Sequence, residues 1–257
     1  MTLTARQLRL GYGDRLVVDG LDVDLPDAAL TVLIGPNGCG KSTLLRGLAG
    51  QLEPTGGHCE VDGRDLRDLA PRERARRIGL LPQAPLVPEG LSVAELVARG
   101  RHPHLGLLRR WGADDDAAVH AALDAVDLHP LAGRIAAELS GGQRQRAWIA
   151  LVLAQGAPHL LLDEPTSFLD LAHAVEVMEV ARRTARAGSA VVVVQHDLTL
   201  AARYADRLIV MDDGRLVAQG PPHEVLTAAL LQATFGLDAH VIDVDGVPAV
   251  VPRRAAA

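Results

Sequence analysis

The nine residues Gly35-Pro36-Asn37-Gly38-Cys39-Gly40-Lys41-Ser42-Thr43 combine glycines, an ammonium and two hydroxyls. They lie between an apolar run, Thr31-Val32-Leu33-Ile34, and a helix-forming run, Leu44 to Ala49. Glycines let backbone N–H groups turn inward without a Cβ clash, and a following helix directs the positive end of its dipole at the same point. The chemistry such a loop serves is the binding of a polyphosphate. Lys41 reaches the outer phosphates as a compact charge, and the Ser42 hydroxyl takes a place on the Mg²⁺ that accompanies a nucleoside triphosphate. Lys41 is the only lysine in the chain, and the rest of the Lys and Arg total, from Arg6 to Arg254, is arginine. A replaceable surface charge would have been arginine as well, so the cradle demands the slim ammonium.

Two carboxylates follow an apolar strand signal, Leu160-Leu161-Leu162-Asp163-Glu164. In a parallel sheet the carboxyl ends of the strands share one edge, where the phosphate loop also lies. Asp163 is placed there to hold Mg²⁺ through water, opposite Ser42, and Glu164 to orient and deprotonate the attacking water. A loop pair that merely caps a helix is the alternative. His196 ends the next apolar run, Ala190 to Val194, and is placed to hydrogen-bond the terminal phosphate or the attacking water. A second hydroxyl-and-glycine group, Leu139-Ser140-Gly141-Gly142-Gln143-Arg144-Gln145-Arg146, opens a helix-forming run and repeats the anion-site pattern without a lysine. Tyr12, in the Gly11-Tyr12-Gly13-Asp14 turn, is either a ring for a nucleobase or a packed turn residue.

The elements that must position these groups are legible in outline. Leu8 to Leu10, Leu16 to Val18 and the alternating Leu21 to Leu25 predict an antiparallel layer. Gly56-Gly57 and Asp62-Gly63 mark turns around Cys59-Glu60-Val61, and Pro71 to Arg77 is a charged helix with a solvated face. From Ala84 to about Gln155 the texture is helical. Ser92 and Glu95 form a capping box, and Asp114-Asp115-Asp116 leads into a helix from Ala117 to Val126. His102-Pro103-His104 has metal-like spacing without a third ligand nearby and reads as structural. The continuous apolar strands near 160 and 190 belong to a sheet covered on both faces. A helix runs from about Ala172 to Ala187, a hairpin turns at Asp213-Gly214, a short helix starts near Pro222, and a last hairpin runs from Val241 to Val251. The expected organisation is a body over 1–240, with the helical insertion at 84–155, and a hairpin and tail over 241–257.

The 257 residues, 48% hydrophobic, suffice for a large α/β core, and a net charge of −6 with pI near 5.9 argues against a general nucleic-acid surface. No apolar run approaches the ~20 residues of a membrane-spanning helix, so a membrane role comes through a partner. Two cysteines and no secretory signal fit a reducing, cytoplasmic compartment. Cys39, just before a helix N-terminus and beside Lys41, is expected to ionise more readily than a free cysteine; Cys59 has no such neighbours.

The order Gly35 to Thr43, Gln83, Leu139 to Arg146, Leu160 to Asp170 and His196 resembles the ATP-binding cassette ATPases over about Leu3 to Phe235. The resemblance implies an α/β phosphate-loop ATPase with a mainly parallel sheet core, an N-terminal antiparallel layer and an inserted helical subdomain. It further implies a head-to-tail pair with two Mg-ATP at the interface, each held by the loop of one copy (Asn37, Gly38, Cys39, Gly40, Lys41, Ser42, Thr43) and by Ser140, Gly141 and Gly142 of the other. Tyr12 then stacks on adenine, Gln83 touches Mg²⁺ and senses the transmembrane partner, Asp170 communicates across the pair, and His196 is the switch histidine. Cys39 and Gln195 depart from the usual pattern, serine or alanine being commoner at the first and an apolar residue at the second. Leu80 to Gln83, Glu89 to Val93, Ala98 to His104 and the tail from Phe235 are similar to the cassettes of ferric-siderophore, haem and cobalamin importers. That implies permease subunits, an extracytoplasmic binding protein and a place on the cytoplasmic face of the membrane. A soluble repair or translation ATPase is the other class. The long coiled coil or second cassette it would carry is missing from the sequence.

Overall fold

The chain begins with two long strands, Leu3–Tyr12 (β1) and Arg15–Leu25 (β2), paired antiparallel across the turn at Gly13 and Asp14. The structure is a computed structural model that describes residues 2–83, 85, 88–106, 109–167 and 169–253. The two segments expected at 16–18 and 21–25 are one strand. Gly20, at φ +66°, absorbs an irregularity in the pairing with β1 where the sequence suggested a break. Strand Leu30–Ile34 (β3) then runs into the glycine loop and helix Lys41–Leu48 (α1). Gly56–Val61 (β4) and Arg64–Asp65 (β5) return to the first pair, giving an antiparallel sheet in the order β2-β1-β4-β5.

Helix Pro71–Arg77 (α2), with proline at its first position and no buried residue, leads into Ile78–Leu81 (β6). The helical insertion follows, with Val93–Ala98 (α3), Ala113–Ala125 (α4) and Gly141–Gln155 (α5) packed on one another. The Ser92 side chain accepts from Glu95 N–H, and Glu95 accepts from the Ser92 N–H, closing the expected capping box. Asp114, Asp115 and Asp116 do not precede α4 but form its first turn, because Asp115 turns inward. Its fully buried carboxylate accepts from Gly112 N–H and pairs with Arg101 and Arg109, tying the start of α4 to the turn at 99–104. Residue 84, the expected start of the insertion, lies outside the described residues.

The chain then alternates His159–Leu162 (β7), Leu171–Arg186 (α6), Ala190–Val194 (β8), Leu198–Tyr204 (α7), Arg207–Asp212 (β9) and Arg215–Gly220 (β10). The second sheet has the order β10-β9-β3-β8-β7-β6, parallel throughout except for the edge strand β10. Its apolar strands are buried on both faces, and the period of two divides them. Val32, Leu160, Leu162, Val191 and Val193 join the core under the helices, while Leu33, Leu161, Val192 and Val194 join the core shared with α1 and the antiparallel sheet. The expected fold class is therefore the one observed.

Helix α7 was not legible in the sequence: seven residues opened by the Asp197 cap are too few for a periodic signal. The short helix expected near Pro222 is two, Pro222–Val225 (α8) and Ala228–Phe235 (α9), separated at the Thr227 cap. The last hairpin, Ala239–Val244 (β11) and Val247–Pro252 (β12), starts with the buried Ala239 and rests on α7, where Val250 N–H donates to Thr199.

Candidate functional site

Parallel pairing brings the carboxyl ends of β3, β8, β7 and β6 to one edge in that order, and each delivers one part of the site. β3 ends in the glycine loop, β8 in Gln195 and His196, β7 in Asp163 and Glu164, and β6 just before Gln83. They surround a cavity of about 430 Å³ lined by Tyr12, Asn37, Gly38, Gly40, Lys41, Ser42, Thr43, Gln83, Glu164 and His196, with Arg15 and Val17.

The loop is built by close approach. A Cβ on Gly35 would fall 2.1 Å from the Met211 carbonyl oxygen, and Gly40, at φ +104°, sits where a side chain is strained. The buried Lys41 Nζ donates to the carbonyl oxygens of Gly35 (2.8 Å) and Pro36 (2.9 Å). Helices α5, α6, α7 and α9 start with a side-chain cap, from Ser140, Asp170, Asp197 and Thr227. Helix α1 starts with Gly40 and has neither a side-chain cap nor an acidic residue in its first turn. Its first N–H groups and dipole are thus left to a ligand anion at the cavity wall, as a triphosphate requires.

Ser42 Oγ donates to Asp163 Oδ1 (2.9 Å). Asp163 is buried, and burial pushes its carboxyl up, helped by the neighbouring Glu164 and opposed by the Ser42 bond. A hydroxyl and a carboxylate in contact at the foot of the loop form a hard-oxygen donor set of the kind that Mg²⁺ accepts. Glu164 has φ +50°, uncommon for a residue with a side chain and a mark of strain held by its surroundings. Its Oε1 lies 2.6 Å from His196 Nε2, and its Oε2 accepts from Gln83 Nε2 (2.7 Å) and Ser167 Oγ (2.9 Å). Burial works to raise the Glu164 carboxyl, but the bonds from His196, Ser167 and Gln83 outweigh it and hold it below the ordinary carboxylate range. The neighbouring carboxyls are thus pushed in opposite directions by their surroundings.

The Tyr12 ring, 46% exposed at the mouth of the cavity, is not a packed turn residue, and its hydroxyl accepts from Arg46 Nη1 (3.2 Å). Ser140, Gly141, Gly142 and Asp170 do not line the cavity. Ser140 caps α5 in a capping box with Gln143, and Asp170 caps α6 and bonds His173, whose ring lies against Gly142. His104 Nε2 bonds the Gln155 carbonyl oxygen (2.7 Å), and among the described residues no group of three His, Cys, Asp or Glu could hold a metal ion. The spacing of Ser167, three residues after Glu164, and of Arg15, opposite Tyr12 in the β1–β2 pairing, could have marked both for the site.

Cys39 overturns an expectation. It is only 5% exposed and belongs to the core under α1, and burial pushes its thiol above the ordinary range despite the nearby Lys41 charge. Cys59 is likewise buried, its thiol pushed up to about 12 by burial and by Asp65.

Residues 18–167 match the protein-family profile "ABC transporter". Over 253 residues the chain is 48% identical to the ferric enterobactin transport ATP-binding protein of Escherichia coli (strain K12), covering 97% of this chain and 93% of that one. It is 46% identical over 262 residues to the hemin import ATP-binding protein of Nocardia farcinica (strain IFM 10152), covering 99% and 90%. A solved ABC transporter described as of metal-chelate type, in an inward-facing conformation, superposes with a TM-score of 0.84 at 30% identity, covering 98% of this chain and 97% of that one. ATPases of importers in this family work as dimers with transmembrane permease subunits. With its cavity built for a triphosphate and its likeness spanning nearly its whole length, the chain belongs to the ABC transporter family, as an ATP-binding subunit that hydrolyses ATP.

Proposed function

We propose that this subunit drives uptake of an iron–siderophore complex, hydrolysing Mg-ATP on the cytoplasmic face of the membrane beneath its permease, which an extracytoplasmic binding protein supplies with cargo. The cargo reading rests on the likeness to the enterobactin protein; the likeness to the hemin protein keeps haem, and with it cobalamin, as the alternative. The body is 1–240 with its helical insertion at 84–155, and 241–257 forms the terminal hairpin and tail. No part is assigned to nucleic acid.

Within the site, Asn37, Gly38, Cys39 and Gly40 supply the backbone of the cradle, Lys41 and Thr43 hold the phosphates, and Tyr12 stacks on adenine. Ser42, Gln83 and Asp163 would hold Mg²⁺, which would neutralise charge that develops on the phosphates. Glu164 takes the proton of the attacking water, and His196 holds Glu164 and the terminal phosphate in register. Ser140, Gly141 and Gly142 lie outside the cavity wall, so a second copy must bring them to the phosphate, with Asp170 linking the two sites. The stretch after Gln83 is the part of the chain that faces the permease.

The observation that carries the catalytic reading is the Glu164 carboxylate, facing the cavity of Lys41 and Ser42 and held by three donors. Glu164→Gln is expected to bind ATP normally, lose ~10²-fold to 10⁴-fold in turnover, and accumulate as an ATP-bound dimer in sizing chromatography. Near-normal hydrolysis would remove Glu164 from this role. Co-purification with a permease after mild detergent extraction, followed by uptake of labelled ferric siderophore against labelled haem, tests the cargo.

A further inference from the structure

Gln195 is a polar residue at a position that ends an apolar, fully buried strand, and it is itself 3% exposed. Its backbone N–H donates to the Leu33 carbonyl oxygen (3.1 Å), the last step of pairing with the strand that enters the phosphate loop. Its side-chain Oε1 accepts two bonds, from the His196 N–H (2.9 Å) and from Thr166 Oγ1 (2.9 Å). The backbone N–H can only donate, so the oxygen end of the amide must face it. The other end, Nε2, is buried with no partner among the described residues. Leaving a buried donor unpaired is costly, and a leucine or valine there would have avoided the cost. The two bonds to Oε1 must therefore be worth keeping.

Beside the His196–Glu164 contact, they form a second link between the two loops at this sheet edge. On one side is the backbone of His196; on the other is Thr166, in the turn Glu164-Pro165-Thr166-Ser167 whose first residue has φ +50°. That turn is closed by Ser167 N–H on the Glu164 carbonyl oxygen (3.1 Å) and Ser167 Oγ on the Glu164 carboxylate. Above the clamp, His196 Nε2 meets Glu164 Oε1 at 2.6 Å. Gln195 does not line the cavity.

We propose that Gln195 is a positioning residue for ATP hydrolysis, whose buried carbonyl oxygen clamps the His196 backbone to the Thr166 turn and so sets Glu164 against His196. It acts through those two residues and touches no substrate. The proposal rests on the roles of Glu164 and His196 given above.

The test is steady-state hydrolysis by the full chain with Mg-ATP, with kcat and KM separated, for Gln195→Leu, Thr166→Val and the double variant. Displacement of a reacting group by a fraction of an ångström costs about tenfold in rate or more. Gln195→Leu is expected to lower kcat about tenfold and leave KM for ATP within about twofold, since Lys41, Ser42 and Tyr12 are untouched. Thr166→Val, isosteric and lacking the hydroxyl, is expected to lower kcat in the same sense, and the double variant to be no slower than Gln195→Leu alone. Wild-type kcat in Gln195→Leu, losses that multiply in the double variant, or a rise in KM matching the fall in kcat would each overturn it. If Gln195→Leu does not fold, Thr166→Val decides by the same split. Glu164→Gln is measured alongside: if it hydrolyses normally, the catalytic reading itself fails, and if it is inactive while Gln195→Leu is normal, only the clamp fails.

Discussion

The Lys41 ammonium is buried against two loop carbonyl oxygens, a space that suits a point charge with three donors. A guanidinium spreads its donors over a wide plane and cannot turn all of them onto those oxygens and a phosphate at once. Each buried donor left unpaired costs about 1–3 kcal/mol. Lys41→Arg is therefore expected to weaken ATP binding by roughly tenfold to a hundredfold. Tight nucleotide binding by this variant, measured by equilibrium fluorescence, would contradict the geometric requirement. Cys39 shows the opposite lesson. Proximity to Lys41 and to a helix N-terminus predicts a reactive thiolate, but the Sγ lies 3.8 Å from Nζ on the core side of the loop, where burial dominates. Maleimide is expected to label native Cys39 and Cys59 far more slowly than the unfolded chain. Peptide mapping that found rapid labelling of Cys39 in the native protein would show that the loop opens.

At the scale of elements, the insertion depends on its helix starts. Ser92 caps a helix of only six residues, α3, whose Val93, Leu96 and Val97 are fully buried in the main core. So short a helix has little stability of its own and borrows it from packing and caps. Ser92→Ala is expected to cost about 1 kcal/mol in urea-unfolding free energy with an unchanged denaturant slope. No loss of stability would mean that packing alone sets the start of α3. The capping box and the helix over Pro71–Arg77 were legible because capping and proline placement are local rules. Helix α7 and the split between α8 and α9 were not, because segments of four to eight residues take their conformation from what they pack on.

For the whole molecule, the seam between sheet and helices carries a liability. His159 opens β7 in register with Ile78 and Ala190, fully buried, and neither ring nitrogen has a partner among the described residues. Burial pulls its pKa below the ordinary value of 6.5. A base whose folded pKa lies below its unfolded one binds fewer protons when folded, so stability is full above the unfolded value and is lost as pH falls from there through the folded value. The thermal stability of the wild type is expected to fall as pH drops below about 6.5. His159→Leu should flatten that acid slope, and an unchanged slope in the variant would place the acid sensitivity elsewhere.

The phosphate loop, Asp163-Glu164, Ser140-Gly141-Gly142 and the covered parallel strands were all determined by the sequence alone, since each is a short run whose residue types serve one local chemistry or one local period. Contact was decided only in the tertiary structure. The strand order β3-β8-β7-β6 joins residues far apart in the chain, such as Ser42 and Asp163, 121 positions apart, and no local pattern encodes which strand lies beside which. The same order turned Gln195 from an odd residue in an apolar run into a link between two loops, and it put the Cys39 thiol into the core instead of the cavity. Burial is a property of all the neighbours together, so the directions in which Asp163, Glu164 and Cys39 are pushed became readable only when the sheet had assembled around them.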